Sequence, residues 1–296
     1  MQIIQTESLT KYYGRIRGVE DLTLEINQGE IFGYLGPNGA GKTTTIRLLL
    51  NLIFPTRGRA RILGRDIIKE SRFIRDNTGY IPGEVHLYPK MTGQELLHYF
   101  ARFRPDKPPV LKDELVKRLD LNLSPRIRDL SHGTRQKLAL VLAFMHDPDL
   151  LILDEPTLGL DPLVQQEFYQ ILKEFKERGK TTFLSSHILP EVERICDRIG
   201  ILKEGRLVTV ESLETMHEKE VRHVEVAFEE DVDPDTFKLP GVSVVSMTNR
   251  SFHLRVKGGE INHVVKAIAR FKIKDLVFAH ASLEEVFLEF YGREEA

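Results

Sequence analysis

The chain has no tryptophan and one cysteine, Cys196, among its 296 residues. A lone thiol excludes an intramolecular disulfide framework and any multi-cysteine metal site. Between Ile195 and Asp197, in an expected helix, it reads as a small packing residue. Long hydrophobic runs are missing too. The charge-free, leucine-rich stretches Leu48–Thr56 and Leu138–His146 are nine residues each, whereas a bilayer span takes about 20. The N-terminal MQIIQTESLTKYYG alternates polar and apolar residues and lacks a signal-peptide core. Nor is there an excess of one charge: 42 basic against 44 acidic side chains leave −2, so nothing global points to nucleic acid. Repeats and low-complexity tracts are absent. The expectation is a soluble, cytoplasmic chain that cannot cross a membrane alone.

What is present is ordinary globular composition, 41% hydrophobic and 29% charged, and enough length for two domains of about 100–200 residues. Leu22, Leu24 and Ile26 alternate as in a strand, and Ile31–Leu35 reads as a short buried strand. A helix is expected from Lys42 to Ile53, with Ile46, Leu49, Leu50 and Ile53 on one stripe and Pro55–Gly58 as its stop. From about 88 to 147 the pattern is helical. Thr92 and Glu95 spell a capping box, residues 105–109 break the chain, and Ser131 caps a helix whose stripe is Leu138, Val141, Leu142 and Met145. Leu150–Leu153, four apolar residues, suits the centre of a parallel sheet. Asp161 and Pro162 open a further helix, and Thr181–Ser185 is the next strand. Strand–helix alternation around a helical insertion argues for an α/β core. From about Met216 the character shifts to a small α+β domain. It holds a strand at Val224–Phe228, a hairpin of Val242–Ser246 with Phe252–Val256, a helix near 261–271, a strand at Leu276–Phe278, and a last helix capped by Ser282 and Glu285. The expected domains are therefore 1–215, with a helical subdomain at about 88–147, and 216–296.

The chemistry concentrates in two places. Gly36, Pro37, Asn38, Gly39, Ala40, Gly41, Lys42 and Thr43 fit G-x-x-x-x-G-K-[ST] between a strand and a helix, followed by Thr44. Glycines let the backbone curl until several N–H groups aim at phosphate oxygens, and the helix N-terminus adds partial positive charge there. Lys42 supplies a point charge for the β/γ oxygens, and the Thr43 hydroxyl suits Mg²⁺. Asp154 and Glu155 follow the apolar strand directly, at the carboxyl end where open α/β sheets bind ligands. Asp154 suits the Mg²⁺ shell. Glu155 is the candidate general base for attack on a γ-phosphate.

Leu130-Ser131-His132-Gly133-Thr134-Arg135-Gln136 precedes the acidic strand and resembles the LSGGQ signature of ATP-binding-cassette (ABC) ATPases, with His132 and Thr134 in place of a glycine and a glutamine. Pro156–Asp161 resembles that family's D-loop, His187 its switch histidine, and Tyr13 its adenine-stacking aromatic. The resemblance spans residues 2 to 215. It implies a P-loop nucleoside-triphosphatase fold using ATP and Mg²⁺. Two ATP-binding subunits, identical or different, would pair so that each ATP lies between one phosphate loop and the Ser131, Gly133 and Thr134 turn of the other, with Asp161 nearby. The C-terminal Ser282–Phe290 is similar to extensions found in ATPase subunits of ABC exporters, which keep their membrane spans on a separate permease polypeptide. That implies a location on the inner face of the cell membrane. Val85–Pro89 is a plausible docking surface for the permease or, equally, ordinary loop packing.

One position departs from the family. Gly83 stands where a glutamine is usual, so Glu84 or a water substitutes for it, or turnover tolerates the loss. Cassettes that act on DNA or ribosomes normally carry tandem cassettes or a long coiled-coil insertion, and neither is present.

Overall fold

In the computed structural model, residues 1–214, 222–256 and 260–280 are described. The chain forms two compact units, Met1–Val210 and Glu211–Ala296. The first unit opens with β1 (Gln2–Tyr13), β2 (Ile16–Asn27), β3 (Ile31–Leu35) and α1 (Lys42–Leu49). After α1 come β4 (Arg57–Ile62), β5 (Arg65–Asp66), α2 (Ser71–Asp76) and β6 (Thr78–Ile81). The helical part holds α3 (Gly93–Ala101), α4 (Lys112–Arg118) and α5 (His132–Phe144). Alternation then resumes with β7 (Leu150–Asp154), α6 (Pro162–Glu177), β8 (Thr181–Ser186), α7 (Leu189–Ile195), β9 (Arg198–Lys203) and β10 (Arg206–Ser212).

Two sheets result, an antiparallel one in the order β2-β1-β4-β5 and a second in the order β10-β9-β3-β8-β7-β6. In the second, β3 runs parallel to β8 and β9, and β7 runs parallel to β6 and β8. All five residues of β3 and of β7 are buried, as continuous apolar strands covered on both faces must be. Helix α1 packs against β2, β4 and β7, and its Ile46 and Leu49 join Ile4, Leu24, Ile62, Phe32 and Ile152 in one core. Each such side chain contributes about 1.5–3 kcal/mol on burial, so the helix that begins at Lys42 is rigidly seated.

Three local expectations change. Helix α1 stops at Leu49, with Leu50 as its cap, because Asn51 takes the left-handed conformation at φ 49°. Ile53 still packs on the core, but from a turn. Helix α7 ends at Ile195. Cys196 is already extended (φ −84°, ψ 154°), because the chain must turn into β9, where the Asp197 N–H donates to Ile31 O at 2.8 Å. Cys196 is buried as expected, and burial pushes its thiol pKa well up. The short α2 has no counterpart in the sequence reading.

The capping signals hold. Glu95 N–H donates to Thr92 Oγ1 at 3.2 Å, and Thr92 N–H donates to Glu95 Oε2 at 2.8 Å. Arg118 on α4 donates to Glu167 and, through both terminal nitrogens, to Glu174 on α6. This paired geometry fixes orientation as well as contact, and it ties the helical part to the core.

The second unit contains β11 (Arg222–Phe228), β12 (Val242–Met247), β13 (Ser251–Val256), α8 (Ile261–Ile268) and β14 (Ile273–His280). They form an antiparallel sheet in the order β12-β13-β11-β14. Val224, Val226, Phe228, Phe252 and Leu254 alternate onto one face and bury against Val264 and Ile268 of α8. The expected hairpin is β12–β13, while α8 is shorter and β14 longer than the pattern indicated. The helix expected at Ser282 lies outside the described residues.

Candidate functional site

The sheet order places β7, β8 and β3 side by side. Asp154 pairs with Ser185, and Leu35 pairs with Ser186. The loop after β3, the acids Asp154 and Glu155 at the end of β7 and the histidine after β8 therefore leave one carboxyl edge together, although Gly36 and His187 are far apart in sequence.

The loop from Gly36 to Thr43 turns directly into α1. Gly41 has φ 108°, and a Cβ there would lie 2.4 Å from Gly18 O, so no other residue fits both the conformation and the space. Gly41 offers no side-chain cap, which leaves the first-turn N–H groups of α1 to an anion. Lys42 is only 6% exposed, and its ammonium donates to Gly36 O at 2.6 Å and to Pro37 O at 3.3 Å. Pro37, Asn38 and Gly39 are exposed at the loop tip, whereas Ala40 is buried. Thr44 and the ring of Tyr13 both crowd Gly18: a Cβ there would meet Thr44 Cγ2 at 2.9 Å and Tyr13 Cε2 at 3.0 Å. Gly18 thus leaves room both for this ring and for the close approach of Gly41. Sequence reasoning missed it, since an isolated strand glycine carries no motif.

Beside the loop, Thr43 Oγ1 donates to Asp154 Oδ2 at 2.7 Å, and Ser185 Oγ donates to Asp154 Oδ1. Asp154 is buried. Burial, reinforced by the Asp154 charge, pushes the Tyr80 hydroxyl up to about 12. Ser185 also went unnoticed in the sequence; the only available signal was a hydroxyl at the end of the strand neighbouring β7.

Glu155 follows at φ 48°, a conformation that costs an ordinary residue about 1–2 kcal/mol. The turn is held by Glu155 N–H donating to Ser185 O at 3.1 Å. It swings the carboxylate between two bases: Oε2 lies 2.9 Å from His187 Nδ1, and Oε1 lies 3.3 Å from Lys42 Nζ. The Lys42 contact is an ion pair without hydrogen-bond geometry, so Oε1 is buried with its accepting capacity open. A carboxylate oriented by an imidazole, with one oxygen still able to accept a proton, is equipped to orient and deprotonate a water.

The Ser131 turn is a separate feature. Ser131 Oγ accepts from Thr134 N–H at 3.1 Å and lies 2.8 Å from Thr134 Oγ1, capping α5. A Cβ on Gly133 would sit 2.8 Å from Gly159 O. Asp161 caps α6, accepting from Leu163 and Val164 N–H at 3.1 Å each. Ser131 and Thr134 bond to each other, and Asp161 bonds within its own turn.

Residues 19–158 match the family model described as ABC transporter. The chain is 34% identical, over 98% of its length and 97% of the other, to the Nod factor export ATP-binding protein I of Paraburkholderia xenovorans. The chain belongs to the ABC transporter ATP-binding proteins. A bacitracin transport ATP-binding protein of Bacillus licheniformis is 41% identical over 70% of this chain and 68% of that one. A solved dimeric ATP-binding cassette, in a post-hydrolysis state bound to ADP and phosphate, superimposes with TM-score 0.65 at 25% identity, covering 71% of this chain and 98% of that one. This ABC protein is accordingly a nucleotide-binding ATPase with the P-loop fold. Among its described residues no helix is long and apolar enough to cross a membrane.

The departure at Gly83 has a definite geometry in this ABC protein. A Cβ at that position would lie 3.3 Å from Asp154 Oδ2, so the backbone itself sits close to the Asp154 carboxylate. The Glu84 side chain is 89% exposed, with His86 Nε2 at 3.5 Å. Glu84→Ala is expected to leave steady-state ATP turnover within about twofold of the parent, as for surface changes generally. A tenfold drop would identify Glu84 as the substitute.

Proposed function

We propose that this chain is the ATP-hydrolysing subunit of an exporter. It acts on the inner face of the cell membrane through a separate membrane-spanning permease, and its second ATP-binding subunit is another copy of itself. The observation that carries the reading is the convergence of Lys42, Asp154, Glu155 and His187 on one sheet edge beside the phosphate loop. The loop amides and Lys42 bind the β/γ-phosphates. Thr43 and Asp154 offer the hard oxygen ligands that suit Mg²⁺, and Mg²⁺ neutralises phosphate charge when bound. Glu155 orients the attacking water and accepts its proton. His187 fixes the Glu155 carboxylate and faces the terminal phosphate.

Ser131, Gly133 and Thr134 present the N-terminus of α5 outward, where a γ-phosphate held by the second subunit can complete its contacts. Asp161 anchors the adjoining turn at the same seam. ATP then bridges the two copies, and its hydrolysis removes the bridge, so binding and cleavage drive closing and opening. An apolar groove of about 300 Å³, lined by Leu52, Tyr80, Val85, Leu87, Phe100 and Leu142, lies beside the altered Gly83 loop. Exposed Tyr88 and Phe103 lie next to Phe100 of its lining, with ring centroids 6.4 and 6.1 Å away. This is the surface offered to the permease. The names of the export and bacitracin-transport relatives support the exporter reading, and the balanced charge supports no nucleic-acid partner.

The test is phosphate release by the purified full chain with ATP and Mg²⁺, together with co-purification of a multi-span membrane protein from the native host. Absence of both would end the proposal. Tyr13 supplies a finer check. Base–aromatic stacking contributes about 1–3 kcal/mol, so Tyr13→Ala should raise the KM for ATP by about fivefold or more with kcat little changed. An unchanged KM would remove Tyr13 from the adenine site.

A further inference from the structure

The first turn of α5 and the turn at 158–161 are built into each other. Gly159 has φ 79°, and a Cβ there would lie 2.3 Å from Nδ1 and 2.7 Å from Cε1 of His132. A Cβ on Gly133 would lie 2.8 Å from Gly159 O. The imidazole edge therefore fills the space that any side chain at 159 would take, while the Gly159 carbonyl lies over Gly133. One turn further along α5, buried Gln136 Nε2 donates to Pro156 O at 2.8 Å. The loop is thus fastened to α5 near both ends, at Pro156 by Gln136 and at Gly159 by His132 and Gly133. A glycine at 132 would leave the second fastening without its side chain.

We propose that His132 is a positioning residue: its ring clamps the 158–161 turn to the N-terminal turn of α5. The two segments that face the second subunit then move as one body, and closure at one ATP site is transmitted to the other. This rests on the paired-subunit reading above. The clamp is a packing contact between groups in direct touch, so its energetic signature is non-additivity between positions 132 and 159.

The experiment uses the full chain carrying Glu155→Gln, titrated with ATP and Mg²⁺ while dimer fraction is followed by light scattering after size exclusion. Affinity of the monomer for a fluorescent ATP analogue is measured in parallel. His132→Gly is expected to raise the ATP concentration for half-dimerisation about tenfold and to flatten the titration. Monomer affinity should stay within about twofold, and His132→Asn, which keeps a planar polar group against Gly159, should recover at least half of the shift on a logarithmic scale. Gly159→Ala should impair dimerisation at least about threefold more when His132 is present than in the His132→Gly background, where the space is free. Equal effects in both backgrounds, or no effect of His132→Gly, would overturn the clamp. A parent that stays monomeric at saturating ATP would instead overturn the paired-subunit reading, and the clamp with it.

Discussion

Lys42→Ala is expected to weaken ATP binding by about 100-fold or more and to abolish measurable hydrolysis. Charge-assisted hydrogen bonds contribute about 1.5–3 kcal/mol each, and Lys42 has two carbonyl partners, Gly36 O and Pro37 O, that aim its ammonium at the phosphate loop. Losing one strong phosphate contact, about 2.7 kcal/mol, corresponds to the 100-fold figure. The mutation also strips Glu155 Oε1 of its neighbouring cation at 3.3 Å, leaving a buried carboxylate oxygen uncompensated. Isothermal titration with ATP checks the prediction. Unchanged affinity would mean that the loop amides alone bind the triphosphate.

Glu155→Gln is expected to act in the opposite sense on binding. Hydrolysis should fall by about 100-fold to 10,000-fold, the usual contribution of a positioned general base, while ATP binding is retained. The amide keeps the shape that the turn at φ 48° presents but cannot accept the proton. His187, which lies 2.9 Å from Glu155 Oε2, loses its anionic partner. With cleavage blocked, ATP should accumulate in a stable two-subunit species, visible as a doubled mass on size exclusion in ATP and Mg²⁺. Retained turnover would move the base elsewhere in the site.

How much of this was legible depended on whether a feature is local. The strand–loop–helix around Gly36–Thr43 and the acids at 154–155 could be read directly, because glycine spacing, an apolar run and a following acid pair all lie within a few residues. The caps at Thr92, Ser131 and Asp161 were equally plain, since each acts on amides two or three positions away. The end of α1 was not. The Leu-rich run through Ile53 keeps helical periodicity, and only the left-handed turn at Asn51 stops it. Cys196 was placed one residue inside a helix because the demand of β9 for an extended entry is tertiary. Ser185, Gly18 and the contact of His132 with Gly159 depend on elements distant in sequence meeting, and no local pattern announces them. The outward direction of the Glu84 side chain beside Gly83 is likewise visible only in the fold.

The central claim is that each ATP is completed by a second subunit, and mixing two inactive variants tests it most directly. A Lys42→Ala chain lacks the phosphate-loop charge but keeps an intact Ser131 turn; a Ser131→Arg chain has the reverse defect. With random pairing of copies, half of the dimers are mixed and each holds one whole composite site, so the mixture should regain activity, up to about a quarter of the parental ATPase rate, although neither variant alone is active. A mixture no more active than the two separate chains, under conditions where mixed dimers form, would contradict the account.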